Sequence, residues 1–404
     1  MSESATETAT LQERYARVMM RTFGTPQAVL VRGEGARVWD ADGREYVDFL
    51  AGIAVNALGH AHPAFVDAVA GQAATLAHVS NYFATPAQVV LAERLVRLTG
   101  GDRVFFANSG TEAIEAGVKL ARLHGAATGR ARILSLSGSF HGRTMGALSI
   151  TGKPALQEPF APMLAGTAQV APDLAAVEAE LAAGDVAALF VEPIQGEAGV
   201  VDLPDGFLAG ARELTARHGA LLVVDEIQTG AGRTGDWFAF QRDLGHGLPD
   251  AVAMAKGMGG GFPIGALVAF GAAAELLGPG HHGSTFGGNP LAAAAANAVL
   301  GEIERAGLVE NARVQGAALR EAVLAIGSPL VTDVQGAGLL LGVGLARPVA
   351  ARVARDALER GLIVNAAGES RIRLAPPLII GEAELAAFVP LFTAALAAAQ
   401  KDPA

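Results

Sequence analysis

Short apolar runs alternate with longer segments of helical periodicity between about residues 60 and 300. Strands that are buried on both faces form continuous apolar runs, and helices between such strands are typical of a parallel sheet covered on both faces. The pattern therefore predicts an α/β fold with a mostly parallel central sheet. The predicted strands cover residues 104–106, 133–136, 188–191, 221–224, 251–254 and 267–270.

The pattern changes towards both ends of the chain, where it predicts a smaller α+β unit. The pattern of residues 26–50 predicts short strands with a turn at 40–43. Residues 1–10 are expected to form a tail without secondary structure. The C-terminal predictions are a helix over 349–359, strands over 362–364 and 371–374, and a final alanine-rich helix.

These patterns predict a division into domains, because a chain of 404 residues exceeds the usual size of a single core. We expect a large domain over residues 60–310. A C-terminal small domain would cover residues 311–404, and the N-terminal segment 1–59 would contribute to it.

Composition narrows the possible functions. Hydrophobic residues make up 51% and charged residues 17%, which is typical of a globular enzyme rather than a disordered chain. The net charge of −10 argues against nucleic-acid binding, which depends on clustered basic residues. With no cysteine, disulfides, thiolate nucleophiles and cysteine metal sites are excluded. No secretory signal or membrane span is predicted, and the cytoplasm is the expected location.

The strongest chemical signal is Lys256 in a glycine-rich segment, preceded by Asp225 at the end of a predicted buried strand. A lysine amine can form a Schiff base and carry protons, and its pKa falls readily on burial. A buried aspartate can keep a pyridine nitrogen protonated. The combination suggests pyridoxal phosphate, although a lysine beside glycines is by itself usually a solvated charge.

Two other segments follow predicted strands and therefore meet at the same edge of the sheet. Ser109, Gly110 and Thr111 open a predicted helix, whose free N–H groups could bind phosphate or could simply be capped. Phe140 could stack on a pyridine ring and Arg143 could bind a carboxylate, although a core phenylalanine and a surface arginine would look the same. The histidine between them has no assigned part in proton transfer.

Three apparent motifs are set aside. The histidine pairs at 60–62 and 281–282 lack the helical spacing, thiolates and third ligand of a zinc site, so no metal is predicted. The glycine run 336–342 misses the dinucleotide-binding pattern by one residue, and the segment around 152–153 lacks the serine or threonine of a P-loop.

The motifs taken together resemble a known family, the class-III aminotransferases of the aspartate-aminotransferase fold (pyridoxal-phosphate fold type I), and within it the acetylornithine aminotransferases. The resemblance extends from about Pro26 to the final helix. It rests on residues 46–49, 52–63 and 373–378 and on the segments around Asn108, Phe140, Glu192, Asp225, Lys256 and Ser284.

The resemblance implies a role for each cofactor residue. Lys256 would bond covalently to the cofactor, Asp225 would bind its pyridine nitrogen, and Gln228 would lie near its phenolic oxygen. Phe140 would stack on the ring. The phosphate would be held by the segment Ser109, Gly110 and Thr111 of one subunit and by Ser284 and Thr285 of its neighbour, which implies a homodimer.

The resemblance also implies the substrates. Arg143 would receive the carboxylate of an acyl-amino acid, and Arg373 the α-carboxylate of glutamate or 2-oxoglutarate. Glu197 would pair with Arg373 while an ω-amine substrate is bound. The implied reaction transfers the amino group of N2-acetyl-L-ornithine to 2-oxoglutarate, giving N-acetyl-L-glutamate 5-semialdehyde and L-glutamate in arginine biosynthesis.

Several alternatives remain open at this point. Ornithine, succinylornithine, succinyl-diaminopimelate and 4-aminobutyrate aminotransferases share this machinery, and one acyl methylene group provides little discrimination. A non-enzymatic regulator that binds pyridoxal phosphate is a remote alternative, and no DNA-reading module is evident in the sequence. A dehydrogenase would need the dinucleotide fingerprint that is missing here.

Overall fold

A computed structural model describes residues 6–245 and 247–401. Its strands, numbered in chain order, are β1 (Leu30–Glu34), β2 (Arg37–Asp40), β3 (Glu45–Asp48), β4 (Arg103–Ala107), β5 (Arg132–Leu136), β6 (Thr167–Val170), β7 (Val186–Val191), β8 (Ile194–Gln195), β9 (Val201–Asp202), β10 (Leu221–Asp225), β11 (Ala251–Met254), β12 (Gly265–Ala269), β13 (Val331–Ala337), β14 (Leu340–Leu345), β15 (Leu362–Ile363), β16 (Asn365–Ala366) and β17 (Arg371–Leu374).

The α-helices are α1 (Glu7–Val18), α2 (Ala51–Ala54), α3 (Pro63–Thr75), α4 (Pro86–Thr99), α5 (Gly110–Thr128), α6 (Met145–Ser149), α7 (Pro154–Gln157), α8 (Leu174–Leu181), α9 (Phe207–His218), α10 (Ala239–Asp243), α11 (Pro290–Arg305), α12 (Leu308–Ala325), α13 (Ala350–Leu358) and α14 (Glu382–Lys401). Short 3₁₀ turns cover Glu158–Phe160, Lys256–Met258 and Gly271–Glu275.

The central sheet has seven strands in the order β4-β12-β11-β10-β7-β5-β6. All pairs are parallel except those of β12, which runs antiparallel to β4 and β11. Strands β7 and β10 are both buried along their whole length, which explains their continuous apolar runs. The prediction of an α/β fold with a mostly parallel sheet is confirmed.

Two details of the sheet differ from the sequence prediction. The edge strand β6 was not predicted, because its sequence Thr-Ala-Gln-Val has no continuous apolar run. The run predicted at 267–270 forms a strand that begins at Gly265 and ends at Ala269. Phe270 instead precedes a 3₁₀ turn, and its ring packs nearly at a right angle against the ring of Phe240 at 6.2 Å between centroids.

Helix α5 packs across one face of the sheet, close to the site described below. Gly117 makes this approach possible, since a Cβ atom there would lie 3.2 Å from the ring of Phe190 on β7. The opposite side of the sheet is covered by helices that include α8, α9 and α11, within one large apolar core. This packing fixes the start of α5 at the carboxyl end of β4.

Segments from both ends of the chain meet in smaller sheets. Strand β15 pairs in parallel with β3, so the C-terminal part completes the sheet β1-β2-β3-β15. A second sheet has the order β13-β14-β17-β16. Helix α12 was not predicted. The hairpin β13–β14 was also missed, because its glycine-rich sequence hides the alternation of a strand. The glycine run 336–342 is therefore a hairpin and not a nucleotide-binding loop.

The N-terminal prediction of an unstructured tail to residue 10 was wrong in part. Helix α1 begins at Glu7, and the Thr6 hydroxyl caps it by accepting a hydrogen bond from the N–H of Ala9 at 3.2 Å. Capping by threonine satisfies one of the free donors of a helix start. The first five residues of the predicted tail lie outside the described residues.

Among the described residues, one helix is long and apolar enough to cross a membrane by length and composition alone, and this is α14. Its Phe388 ring stacks on Phe49 at 4.4 Å and on Phe392 at 5.0 Å between centroids. Leu396 and Ala399 continue this buried stripe at helical spacing. One face of α14 thus packs against β3 and β15 of the sheet β1-β2-β3-β15.

Glu226, directly after β10, is a buried carboxyl group that receives hydrogen bonds from the N–H of Phe240, at 2.7 Å, and from the hydroxyl of Thr229. Burial raises the pKa of Glu226 to about 7. This pKa lies above that of a glutamate in the unfolded chain, so the protonated Glu226 side chain stabilises the folded protein fully at a pH below the unfolded pKa. That contribution to the free energy of unfolding is lost as pH rises through about 7.

We therefore expect Glu226→Gln to stabilise the protein on the order of 3 kcal/mol at about pH 8 and very little at about pH 5. The measurement is the free energy of urea unfolding at both pH values. Glu213→Gln makes the same charge change at an exposed position of α9 and should leave the pH dependence unchanged. An equal effect of Glu226→Gln at both pH values would contradict the raised pKa.

Candidate active site

The loops that follow β4, β5, β7, β10 and β11 meet at one edge of the central sheet and enclose a cavity of about 470 Å³. Ligands of open α/β sheets bind beyond the carboxyl ends of the strands, as here. Nine residues singled out from the sequence line this cavity: Ser109, Gly110, Thr111, Phe140, Arg143, Glu197, Asp225, Gln228 and Lys256.

Lys256 begins a 3₁₀ turn directly after β11 and has a backbone φ of +42°. A residue with a side chain rarely adopts this conformation, and such strain is concentrated at functional sites. Burial lowers the pKa of the Lys256 ammonium group, although the carboxylates of Glu197 and Asp225 oppose this effect. The amine is thus shifted towards the neutral, nucleophilic form.

Asp225 ends β10 and is almost fully buried. One of its carboxylate oxygens accepts a hydrogen bond from the N–H of Ile227 at 3.0 Å, and the other lies 2.8 Å from Nδ1 of His141. Burial disfavours the charged form of His141, but the hydrogen bond and the charge of Asp225 outweigh it and raise the pKa of the imidazole. His141 had no role assigned from the sequence. It follows β5, which is separated from β10 by β7 in the sheet, so the apolar runs carried no signal that links it to Asp225.

Glu192 follows β7 and is a second buried residue that sequence reasoning did not assign. Its carboxylate accepts a hydrogen bond from the N–H of Phe140 at 2.8 Å. Burial raises the pKa of Glu192 to about 7, against the opposing charge of His141. Glu192 thereby fixes the backbone on which the Phe140 ring is carried.

The start of α5 forms one wall of the cavity. The hydroxyl of Ser109 caps this helix by accepting a hydrogen bond from the N–H of Glu112 at 3.3 Å. The first N–H groups of a helix have no intrahelical acceptor and attract anions. Gly142 lies so close to Thr111 that a Cβ atom would meet its hydroxyl at 2.2 Å, and a Cβ at Gly110 would meet Ile227 at 2.8 Å. These two glycines thus allow the segments that follow β5 and β10 to pack closely against this helix end.

Arg373 is buried on β17 of the sheet β13-β14-β17-β16, yet its guanidinium reaches the cavity wall. It donates hydrogen bonds to the carboxylate of Glu197 and to Oε1 of Gln228, the latter at 3.1 Å. Asn365, which the sequence analysis did not mention, accepts two further bonds at 2.7 and 3.2 Å. Burial raises the pKa of Glu197, but the charge and hydrogen bond of Arg373 prevail and lower it.

Close packing of glycines brings these distant segments together. A Cβ atom at Gly342 on β14 would lie 2.2 Å from the carbonyl oxygen of Gly199. Because Gly342 pairs with Arg373 across the sheet, this contact carries Arg373 to the segment that contains Glu197. The Glu197–Arg373 pair, 176 residues apart, depends on this approach.

Arg143 lies at the exposed side of the cavity, with its guanidinium carbon 5.6 Å from the centroid of the Phe140 ring. In the part of the chain that the structure describes, no carboxylate forms an ion pair with it. An exposed arginine beside a cavity and without an acidic partner can bind a carboxylate from solution.

Ser284 and Thr285 do not line this cavity. The Ser284 hydroxyl accepts hydrogen bonds from Nδ2 of Asn108, at 3.1 Å, and from the N–H of Gly287, at 2.9 Å. Both residues instead border a surface groove that includes Asn81 and Tyr82. Within residues 6–245 and 247–401, no group of three or more potential metal ligands is present.

The residues of the cavity fit pyridoxal phosphate. The start of α5, which lines the cavity, offers free N–H groups for a phosphate. At the other side, the buried carboxylate of Asp225 can hold a protonated ring nitrogen, and the amine of Lys256 can bond to an aldehyde.

The fold and the site together are those of a pyridoxal-phosphate enzyme of fold type I. A family model described as "Aminotransferase class-III" matches residues 19–396. The chain therefore belongs to the class-III aminotransferases, and pyridoxal phosphate is its cofactor.

Individual relatives are consistent with this assignment. The acetylornithine aminotransferase of Mycobacterium tuberculosis is 54% identical over 402 residues, which cover 98% of each chain. The N-acetylornithine aminotransferase structure from Stenotrophomonas maltophilia has a TM-score of 0.82 and 40% identity, covering 94% of this chain and 98% of that one. A Toxoplasma gondii ornithine aminotransferase, with partial occupancy of PLP at its active site, has a TM-score of 0.91 and 32% identity, covering 96% and 94%.

Proposed function

We propose that this enzyme transfers the ω-amino group of N2-acetyl-L-ornithine to 2-oxoglutarate and so acts in arginine biosynthesis in the cytoplasm. The products are N-acetyl-L-glutamate 5-semialdehyde and L-glutamate. The observation that carries the proposal is the pairing of Glu197 with Arg373 beside Lys256, while Arg143 has no such partner among the described residues. The name shared by relatives of about half identical sequence supports acetylornithine as the donor.

Two arginines provide for two kinds of substrate. With Arg373 neutralised by Glu197, the cavity favours the end of an ω-amine substrate that carries no carboxylate near Lys256. The α-carboxylate of such a substrate would then bind Arg143 at the exposed side. In the second half of the reaction Glu197 would leave Arg373. The guanidinium of Arg373 would then bind the α-carboxylate of 2-oxoglutarate through two hydrogen bonds, in bidentate geometry.

Lys256 has a part in proton transfer, and the residues around Asp225 and Phe140 have a part in positioning the cofactor. When bound, pyridoxal phosphate supplies the aldehyde and an electron sink for the substrate carbanion. Lys256, with its lowered pKa, would take the proton from the substrate carbon and return it. Asp225, oriented by His141, would keep the ring nitrogen protonated, and Phe140, held by Glu192, would fix the ring plane.

The donor is tested by initial rates of glutamate formation from 2-oxoglutarate. The amines to compare are N2-acetylornithine, ornithine, N2-succinylornithine, N-succinyl-diaminopimelate and 4-aminobutyrate. We expect kcat/KM to be highest for N2-acetylornithine. A higher value for another amine would move the substrate assignment to that amine, and absence of glutamate with all five would reject the proposed function.

Replacing Arg143 by methionine should lower kcat/KM for N2-acetylornithine by about 100-fold, because a charge-assisted carboxylate contact of about 2–3 kcal/mol is lost. A diamine without a carboxylate, 1,4-diaminobutane, serves as the control and should react at an unchanged rate. Arg143→Lys keeps the charge and should recover part of the loss. Equal losses with both amines would show that Arg143 does not bind the substrate carboxylate.

We further propose a homodimer whose subunits share the active site. Ser284 and Thr285 lie outside the cavity of their own chain, next to the exposed aromatic residues Tyr82 (94% exposed) and Phe286 (58% exposed). Such a patch favours a protein interface, across which these two residues would complete the phosphate site of the other subunit. Light scattering should give twice the chain mass, and a monomer with full activity would contradict the sharing of the site.

We also propose a division into a large domain over residues 60–310 and a small domain over residues 311–404, to which the N-terminal segment 1–59 contributes. Pairing of β15 with β3 supports the last part of this division.

A further inference from the structure

Lys153 is one of four lysines in the chain and lies next to the cavity. It directly precedes α7, and its ammonium group donates a hydrogen bond to the main-chain oxygen of Glu197 at 2.6 Å. The preceding Gly152 is pressed against the end of β5, where a Cβ atom would lie 2.2 Å from the oxygen of Leu136. This close packing fixes the loop from which Lys153 reaches Glu197.

The charges around Lys153 are those of the substrate site. Burial lowers the pKa of its ammonium group, whereas the carboxylates of Glu197 and Glu192 raise it. The guanidinium groups of Arg373 and Arg143 act in the same direction as burial. Lys153 therefore belongs to the electrostatic environment of the Glu197–Arg373 pair, although sequence reasoning gave it no role.

The two-substrate reaction creates a difficulty for Glu197. While an ω-amine is bound, its carboxylate pairs with Arg373, but a substrate α-carboxylate must later take that place. A mostly buried carboxylate that loses its ion-pair partner is costly, and the cost would oppose substrate binding. A second cation within reach of Glu197 removes this cost.

We propose that Lys153 is this second cation and receives the Glu197 carboxylate when a substrate carboxylate occupies Arg373. The ammonium group already lies at the main chain of Glu197, so a side-chain rotation of Glu197 is sufficient for the exchange. Lys153 is then a positioning residue that acts through Glu197 and does not touch the substrate. This inference rests on the proposed function, in which Arg373 binds the α-carboxylate of the amino acceptor.

The test is the binding of glutarate to the cofactor-loaded enzyme, measured by calorimetry. Glutarate has the carboxylates of 2-oxoglutarate but no carbonyl group, so it binds without turnover. Lys153→Met keeps the length of the side chain and removes its charge. We expect glutarate to bind about tenfold more weakly to this variant, the equivalent of about 1.4 kcal/mol, because Glu197 stays on Arg373.

A double-mutant cycle separates this role from a structural one. In a Glu197→Gln background no carboxylate needs a second cation, so Lys153→Met should change glutarate binding by less than about twofold. Lys153→Arg retains the charge and should bind glutarate within about threefold of the unmodified enzyme. Lys401→Met, at the exposed end of α14, is the matched control and should have no effect.

The cycle also distinguishes failure of this inference from failure of the proposed function. An equal loss in both backgrounds, or no loss in either, would overturn the role of Lys153 while Glu197→Gln alone still tightens glutarate binding. If Glu197→Gln does not tighten glutarate binding, the exchange at Arg373 does not occur, and both the two-substrate scheme and the role of Lys153 are rejected.

Discussion

Replacing Lys256 by alanine should reduce turnover by at least about 10⁴-fold, because the residue is both the nucleophile that holds the cofactor and the carrier of the proton. No other lysine lines the cavity among the described residues, so no neighbour can take over these roles. Turnover is measured as glutamate formation with saturating N2-acetylornithine and 2-oxoglutarate. Lys401→Ala, at the surface, should retain full activity.

The same assignment has a readout that does not depend on turnover. Borohydride reduction of the cofactor-loaded enzyme should attach the cofactor mass to the peptide that contains Lys256. Since the chain has four lysines, the peptides are easily told apart. Cofactor mass on the peptide of Lys119, Lys153 or Lys401, or substantial activity of Lys256→Ala, would refute the assignment.

Asp225→Asn should lower kcat by about 10²–10³-fold, which is the usual effect of removing one preorganised polar group at a reacting centre. A neutral amide cannot favour a protonated ring nitrogen, and it also loses its ionic contact with His141 at the same site. Cofactor binding should be weakened much less, since the phosphate and Lys256 contacts remain. The measurements are kcat and the dissociation constant for pyridoxal phosphate.

Asp205→Asn removes a carboxylate at an exposed position and serves as the control, with kcat expected to stay unchanged. If Asp225→Asn lost cofactor affinity and kcat in equal proportion, Asp225 would hold the cofactor without assisting the chemistry. A kcat within about twofold of the unmodified enzyme would contradict its place at the ring nitrogen.

The sequence located much of the cavity because strand ends can be read from apolar runs. Asp225 ends one such run and Lys256 follows another, and parallel strands bring their carboxyl ends to one edge. Residues near these ends, such as Thr111 and Phe140, were predicted for the same reason. Their roles in catalysis remain proposals that the variants above test.

Contacts between distant elements could not be read in this way. His141 meets Asp225 and Glu192 meets Phe140 only because β5, β7 and β10 are neighbours in the sheet, an order that apolar runs do not encode. Only the family resemblance could predict that Arg373 lies at the cavity, because its position depends on the packing of Gly342 against Gly199. Lys153 gave no signal of a role at this site, because a lysine at the start of a short helix is usually a surface residue.

The most direct test of the central claim follows the visible absorption of the cofactor-loaded enzyme through two successive additions. We expect excess N2-acetylornithine to abolish the band of the lysine-bound cofactor rapidly, and 2-oxoglutarate, added next, to restore it. A band that persists with N2-acetylornithine and with every other ω-amine would contradict ω-amino transfer at Lys256.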